Sequence, residues 1–244
     1  MTYQLIGVGN NAKTIKGDGE EYLTAIKYMQ PYKTMFKGKV HNLCAMADMA
    51  GCAEPCLRWA GRGQMSSVQR GRERKTLWYL SDRVGFMDAL VNDITVFRRR
   101  CIKNAVQPCV RPNGTSDIMY EKSSIMDQFP DVQFYDYTKK ARRFHGQRQP
   151  DNYRLMLLYS GAKHYQSQGQ SFLKSYSDAP MAVVFRNKNF PWTFMGREVI
   201  NGDNSDWVNV NHRGVVVGLV AKGPAKTNTN GFVVENDVIT TLNF

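Results

Sequence analysis

Between residues 105 and 221 short β-branched and aromatic runs alternate with segments of helical periodicity. This alternation constrains the fold more than any other feature. Strands are expected at 105–111, 132–137, 153–159, 181–185 and 214–221, with helices at 118–129 and 166–176. Strands separated by helices cannot pair as hairpins, so they pair in parallel through crossovers. The chain is therefore expected to be α/β, with parallel strands alternating with helices. No G-x-G-x-x-G opens a strand-to-helix turn, which favours a TIM-like barrel, partial or complete, over a doubly wound sheet. Upstream, 4–8 reads as a strand, and 18–32 as a helix with Leu23, Ile26 and Met29 on one face. Segment 65–79 reads as a basic helix. Segment 86–103 is the clearest helix, because Phe86, Leu90, Ile94, Phe97 and Cys101 recur at its period. One domain over 1–244 is expected, with a cysteine-bearing loop at 41–63 and a long polar loop at 188–213.

A hydrophobic content of 42% suffices for a core and excludes a disordered chain. No apolar run is long enough to span a bilayer, and no basic start leads into one, so neither membrane association nor a secretory signal is expected. Five cysteines, odd in number and unevenly spread, argue against a secreted disulfide scaffold and for a reducing cytoplasm.

The run HNLCAMADMAGCAEPCLRWAGRG holds Cys44, Cys52 and Cys56 in the spacing C-x7-C-x3-C. Gly51 and Pro55 let such a segment turn its thiols towards one point. Soft thiolates suit an iron–sulfur cluster, of the 4Fe-4S kind with one iron left open, or zinc. His41 is a candidate fourth ligand. The spacing is neither that of a zinc ribbon nor the C-x3-C-x2-C of common radical enzymes. Three buried thiols without metal, or a Cys44–Cys52 disulfide, are the plainer alternatives.

In parallel α/β proteins chemistry gathers at the carboxyl ends of strands. Those ends carry Asn113, Thr115, Ser116 and Asp117, then Asp136, Thr138 and Lys139, then Ser160, then Arg186 and Asn187. Asp203, Asp206 and His212 belong to the same expected rim. Asn113, Ser116, Asp117, Asp136 and Ser160 are the candidate cofactor-binding groups. Turn chemistry at Asn113 and Gly114, and capping of a following helix by Asp117, are the structural alternatives.

The net charge is +12, and the excess is clustered around Arg70, Arg99 and Arg142. Such a field attracts polyanions. Arg70, Arg72, Arg74, Arg99, Arg142 and Arg143 are the expected contacts to nucleic acid or a nucleotide. A solvated basic surface, or charges completing helix C-termini, is the alternative.

The ordered motifs C-x7-C-x3-C, RPNGTSDI, FPDVQFYDYTK, PDNYRLMLLYSGAKH, INGDNSDW and GVVVGLVAKGPAK resemble the phage proteins grouped as the "gene product eighty-eight" family. The resemblance implies a bacteriophage origin and a place in the cytoplasm of an infected host. More distantly the chain resembles the radical S-adenosylmethionine barrel. That likeness implies Cys44, Cys52 and Cys56 as cluster ligands and Asn113, Ser116, Asp117 and Asp136 as pocket groups, with S-adenosylmethionine as a further cofactor. Three functions follow as expectations. The first is an iron–sulfur enzyme of radical type acting on nucleotide or nucleic acid. The second is a basic module binding nucleic acid or a host protein around a structural metal. The third is a zinc hydrolase, weakest because no H-E-x-x-H is present.

Overall fold

A strand covered on both faces needs apolar or β-branched residues throughout rather than in alternation, and YLTAIK is such a strand. In the computed structural model, which describes residues 4–9, 21–145, 149–205 and 211–237, it is a strand and not part of the helix expected at 18–32. β1 (Ile6–Val8) pairs antiparallel with β2 (Tyr22–Lys27). A two-stranded hairpin follows, β3 (Lys33–Phe36) and β4 (Lys39–Asn42). Then come α1 (Ser66–Ser81), α2 (Arg83–Lys103) and β5 (Gln107–Arg111). β2 and β5 run parallel, from Tyr22 opposite Gln107 to Ile26 opposite Arg111. This long-range ladder overrides the helical spacing of Leu23, Ile26 and Met29.

The chain divides into two units. The first holds Met1–Ala45, Gly63–Asp136 and Gly146–Leu155, and the second Met46–Arg62, Tyr137–His145 and Met156–Phe244. β6 (Gln133–Thr138) and β7 (Tyr153–Leu158) contribute residues to each. In the first unit the sheet order is β1-β2-β5-β6-β7, with β5 and β6 parallel through Cys109 opposite Gln133. In the second, β7 pairs in parallel with β8 (Met181–Phe185), and β8 in parallel with β11 (Val216–Val220). The segment expected to be one long polar loop carries β9 (Thr193–Phe194) and β10 (Arg197–Asn201). β10 pairs antiparallel with β9 and parallel with β11. α3 (Gln166–Ser175) joins β7 to β8. The protein is thus a mixed α/β fold with a large, mostly parallel sheet. Among the described residues no strand pairing closes a barrel.

α2 forms where its pattern demands. Asp82 caps it by accepting from the Gly85 N–H at 2.9 Å. Phe86, Leu90, Ile94, Phe97 and Cys101 are all at most 5% exposed. Arg100 and Lys103 occupy the last turn, where cations complement the helix dipole.

The helix expected at 118–129 is replaced by a 3-10 turn at Tyr120–Lys122 followed by further turns. The end of the segment is held from outside. The Asn152 side-chain amide donates to the carbonyls of Met126, Phe129 and Val132 at 3.0, 2.8 and 3.1 Å. Those acceptors are satisfied without a helical ladder. Asn152→Ala should therefore lower stability by roughly 1–3 kcal/mol. Urea unfolding should show a lower midpoint at unchanged slope, and an unchanged midpoint would refute this role for Asn152.

Candidate functional site

Asp136 is 1% exposed, and a buried carboxylate is tolerated only when donors surround it. Asn113, after the carboxyl end of β5, supplies them. Its N–H donates to Asp136 Oδ1 at 3.0 Å and its Nδ2 to Oδ2 at 2.7 Å, while the Tyr153 hydroxyl donates to Oδ2 at 3.4 Å. The remaining valences of Asn113 shape its own loop. Nδ2 also donates to Ile118 O at 2.8 Å, and Oδ1 accepts from Ser116 Oγ at 2.8 Å and the Ile118 N–H at 3.1 Å. An Asn side chain has two donors and two acceptor sites, and here all four are used within the protein. Gly114 is required by close approach, since a Cβ there would stand 2.5 Å from Tyr28 Cδ1. The RPNGTSDI motif is thus a buttress under the carboxyl ends of β2, β5 and β6. Asp117 caps no helix; its N–H donates to Leu43 O at 2.8 Å.

Beside this network lies a residue the strand-end reading missed. Lys27, at the carboxyl end of β2, is 0% exposed. Its Nζ donates to the Tyr120 hydroxyl and, at 3.1 Å, to Met29 Sδ. The Nζ sits 4.4 Å from the Tyr120 ring centre and 5.3 Å from that of Phe86, a cation–π setting. Burial pushes the amine down to about 7, against the attraction of Asp136, and Lys75 pushes in the same direction as burial. Burial also holds the Tyr120 hydroxyl well above its ordinary range. The signal in the sequence was a single lysine closing an otherwise apolar strand.

The cysteines divide between the units. Cys44 belongs to the first unit, where its N–H donates to Asn42 Oδ1 at 2.8 Å and its thiol donates to Thr115 O at 3.6 Å. Cys52 and Cys56 belong to the second. There the Cys52 N–H closes a turn onto Ala47 O at 3.0 Å, and its side chain packs beside Ala50, Ala162 and Tyr165. No disulfide joins Cys44 to Cys52. Among the described residues no group of three or more His, Cys, Asp or Glu side chains is placed to hold a metal ion. His41 faces the Phe36 ring at 5.9 Å.

In the second unit Ser160 is 0% exposed. Its Oγ donates to Ala50 O at 2.7 Å and accepts from the Ala162 N–H at 3.2 Å, so it anchors the segment that precedes Cys52. Lys139 is 8% exposed; its Nζ donates to Leu158 O at 3.3 Å and lies 4.6 Å from the Phe232 ring centre. Arg186 binds Glu235 and the carbonyls of Ala225, Lys226 and Asn228, a structural clasp. Asp203 accepts from the Val220 N–H at 2.7 Å and Lys222 Nζ at 2.8 Å. Asp206 lies outside the described residues.

The arginines sort by burial. Arg72 is 8% and Arg143 0% exposed; Arg72 packs its guanidinium 5.4 Å from the Tyr28 ring centre. Neither can meet a phosphate, which corrects their expected role. Arg70, Arg74, Arg99 and Arg142 are exposed. In the first unit α1 runs into α2 through Asp82 alone. Lys75 on α1 donates to Leu5 O at 2.9 Å, and Asp93 on α2 accepts from the Leu5 and Ile6 N–H groups. On one straight helix these two residues would stand roughly 27 Å apart. Both reach Leu5, so the two helices approach each other there. Arg72 and Thr76 on α1 meet Tyr28 and Gln30 just past the carboxyl end of β2, whereas α2 ends at Lys103 before the amino end of β5, so Arg70 and Arg74 form one exposed basic group and Arg99, Arg100 and Lys103 another. Arg98 there is ion-paired with Asp131 at 2.6 Å.

The titration of Lys27 has a direct consequence. Its folded-state value lies below the ordinary 10.5, so between pH 7 and 10.5 the unfolded chain holds a proton that the folded chain has released. Stability contributed by this site then rises with pH across that window. Relative to Lys27→Met, the wild-type protein should gain stability from pH 7 to 10, by at most about 1.4 kcal/mol per pH unit. Lys75, pushed down to about 8 by burial, is common to both proteins and cancels. Parallel stability–pH curves would exclude a lowered proton affinity for Lys27.

Comparison with known proteins matches residues 4–236 to the model of the family described as Gene product 88. No curated protein and no solved structure matches, and nothing in these comparisons bears out the likeness to radical S-adenosylmethionine barrels.

Proposed function

We propose that this chain, which belongs to the phage family Gene product 88, binds nucleic acid through the exposed basic residues of α1 and α2. One observation carries this reading. Arg70 and Arg74 on α1 and Arg99, Arg100 and Lys103 on α2 are all exposed. The acidic residue among them is Glu73, which is also exposed. Guanidinium groups are suited to phosphate because their planar fork matches its oxygens. Their release of condensed counterions supplies a sequence-independent drive to bind. The chain's +12 charge adds long-range steering.

The buried network of Lys27, Asn113, Asp136 and Tyr153 has a supporting role in this reading. It holds the carboxyl ends of β2, β5 and β6 in place and presents no free polar valence at Asn113. Nor does the architecture suggest a bilayer partner: among the described residues no helix is long and apolar enough to cross a membrane.

The test is a titration of labelled duplex DNA at several salt concentrations. With about four phosphates neutralised, affinity should fall roughly a hundredfold between about 50 and 200 mM salt. Arg70→Ala, Arg74→Ala and Arg99→Ala should each lower the salt slope by about one unit, whereas the buried Arg72 should act only through stability. Salt-independent binding, or none at low salt, would defeat the proposal. Iron and zinc assays on anaerobically purified protein belong beside it. Stoichiometric iron would restore the metal-centred reading of Cys44, Cys52 and Cys56.

A further inference from the structure

The β3–β4 hairpin was not anticipated from sequence, and no role follows for it from the helical surface. It forms its own two-stranded sheet in the first unit. Register places Thr34 opposite His41 and Met35 opposite Val40, so its two faces differ. One face turns inward: Thr34 is buried, and the Phe36 and His41 rings meet edge-on with centroids 5.9 Å apart. The other carries Lys33, Met35, Val40 and Asn42, all exposed. Met35 is 62% and Val40 58% exposed, a cross-strand apolar pair left in water.

The surroundings of that pair are uniformly basic. Lys33, Lys37 and Lys39 flank it, and no acidic residue occurs from 31 to 47. Lys33 Nζ rests 4.5 Å from the Tyr32 ring centre, and Lys37 Nζ 5.4 Å from that of Phe36. The turn residues Lys37 and Gly38 have φ of 48° and 72°. This is the primed hairpin geometry that normally selects Asn or Gly. A lysine at the first of these positions is strained, and strain retained at an exposed tip points to a use for the side chain.

We infer that the β3–β4 hairpin enters the major groove of duplex DNA, with Lys33, Lys37 and Lys39 on the phosphates and Met35 and Val40 against thymine methyl groups. The inference rests on the nucleic-acid reading of the helical pair and adds the element that touches bases. A two-stranded ribbon, its strands about 4.8 Å apart, fits a groove about 12 Å wide. Apolar side chains recognise the thymine C5-methyl there, and paired strands are an established groove-reading element.

The experiment uses the full chain and a labelled A·T-rich duplex about two helical turns long, compared with the same duplex carrying uracil for thymine. Lys33→Ser/Lys37→Ser/Lys39→Ser should weaken binding at least about tenfold. The wild-type protein should prefer the thymine duplex by about threefold, and Met35→Ser/Val40→Ser should erase that preference. Lys37→Gly relieves the strained turn, so its weakened binding at an undiminished Tm would separate contact from folding. Duplex binding that is normal and salt-dependent in all hairpin variants would overturn this inference while leaving the helical surface standing. No duplex binding by the wild-type protein would overturn both. Binding to phosphatidylglycerol vesicles lost in Met35→Ser/Val40→Ser, with duplex binding intact, would assign the face to a lipid surface instead.

Discussion

The buried carboxylate of Asp136 is the constraint on which the arrangement of the first unit depends. A charge excluded from water must be met by donors or it neutralises. Asn113 meets it with two hydrogen bonds and Tyr153 with a third. To do so Asn113 has to leave β5 at a set point, and its remaining valences then fold the loop through Ser116 and Ile118. That loop carries Asp117, whose N–H holds Leu43 O. The Leu43 N–H in turn donates to Tyr32 O at 2.9 Å and closes the base of the β3–β4 hairpin. A chain of hydrogen bonds thus runs from the strand ends to the base of an exposed basic hairpin. Lys27 belongs to the same system, since the field of Asp136 opposes the burial that lowers its proton affinity.

Burial separates charges that composition treats alike. Arg72 and Arg143 are interior side chains, whereas Arg70, Arg74, Arg99 and Arg142 meet solvent. On α1 the difference is a matter of phase: positions 70 and 74 share the outer face, while 72 and 76 are turned inward. A residue count cannot make this distinction, because long basic side chains satisfy both roles, packing by their stems and rings or projecting by their heads.

Much of the architecture was legible from periodicity. The stripe Phe86, Leu90, Ile94, Phe97 and Cys101 defined α2, and the runs at β5, β6, β7, β8 and β11 announced themselves by β-branched and aromatic density. What failed did so for tertiary reasons. Residues 22–27 have the spacing of a helical face, but a parallel neighbour on β5 claimed their backbone. Residues 118–129 form a 3-10 turn and further turns instead, and Asn152, distant in sequence, holds the carbonyls where the segment ends. The polar composition of 188–213 concealed β10, whose central residues are only half-buried.

By itself the sequence determined the α/β class, the long amphipathic helix, the basic character of the chain and the motifs of its phage family, because each is written in local pattern or composition. It also placed Asn113, Ser116, Asp136 and Ser160 at strand ends. Only the tertiary structure decided that these groups face one another or the backbone, that Lys27 is enclosed by aromatic rings, and which arginines reach water. Those outcomes depend on contacts between residues remote in the chain, where hydrogen-bond valence and burial are settled jointly and no single segment carries the answer.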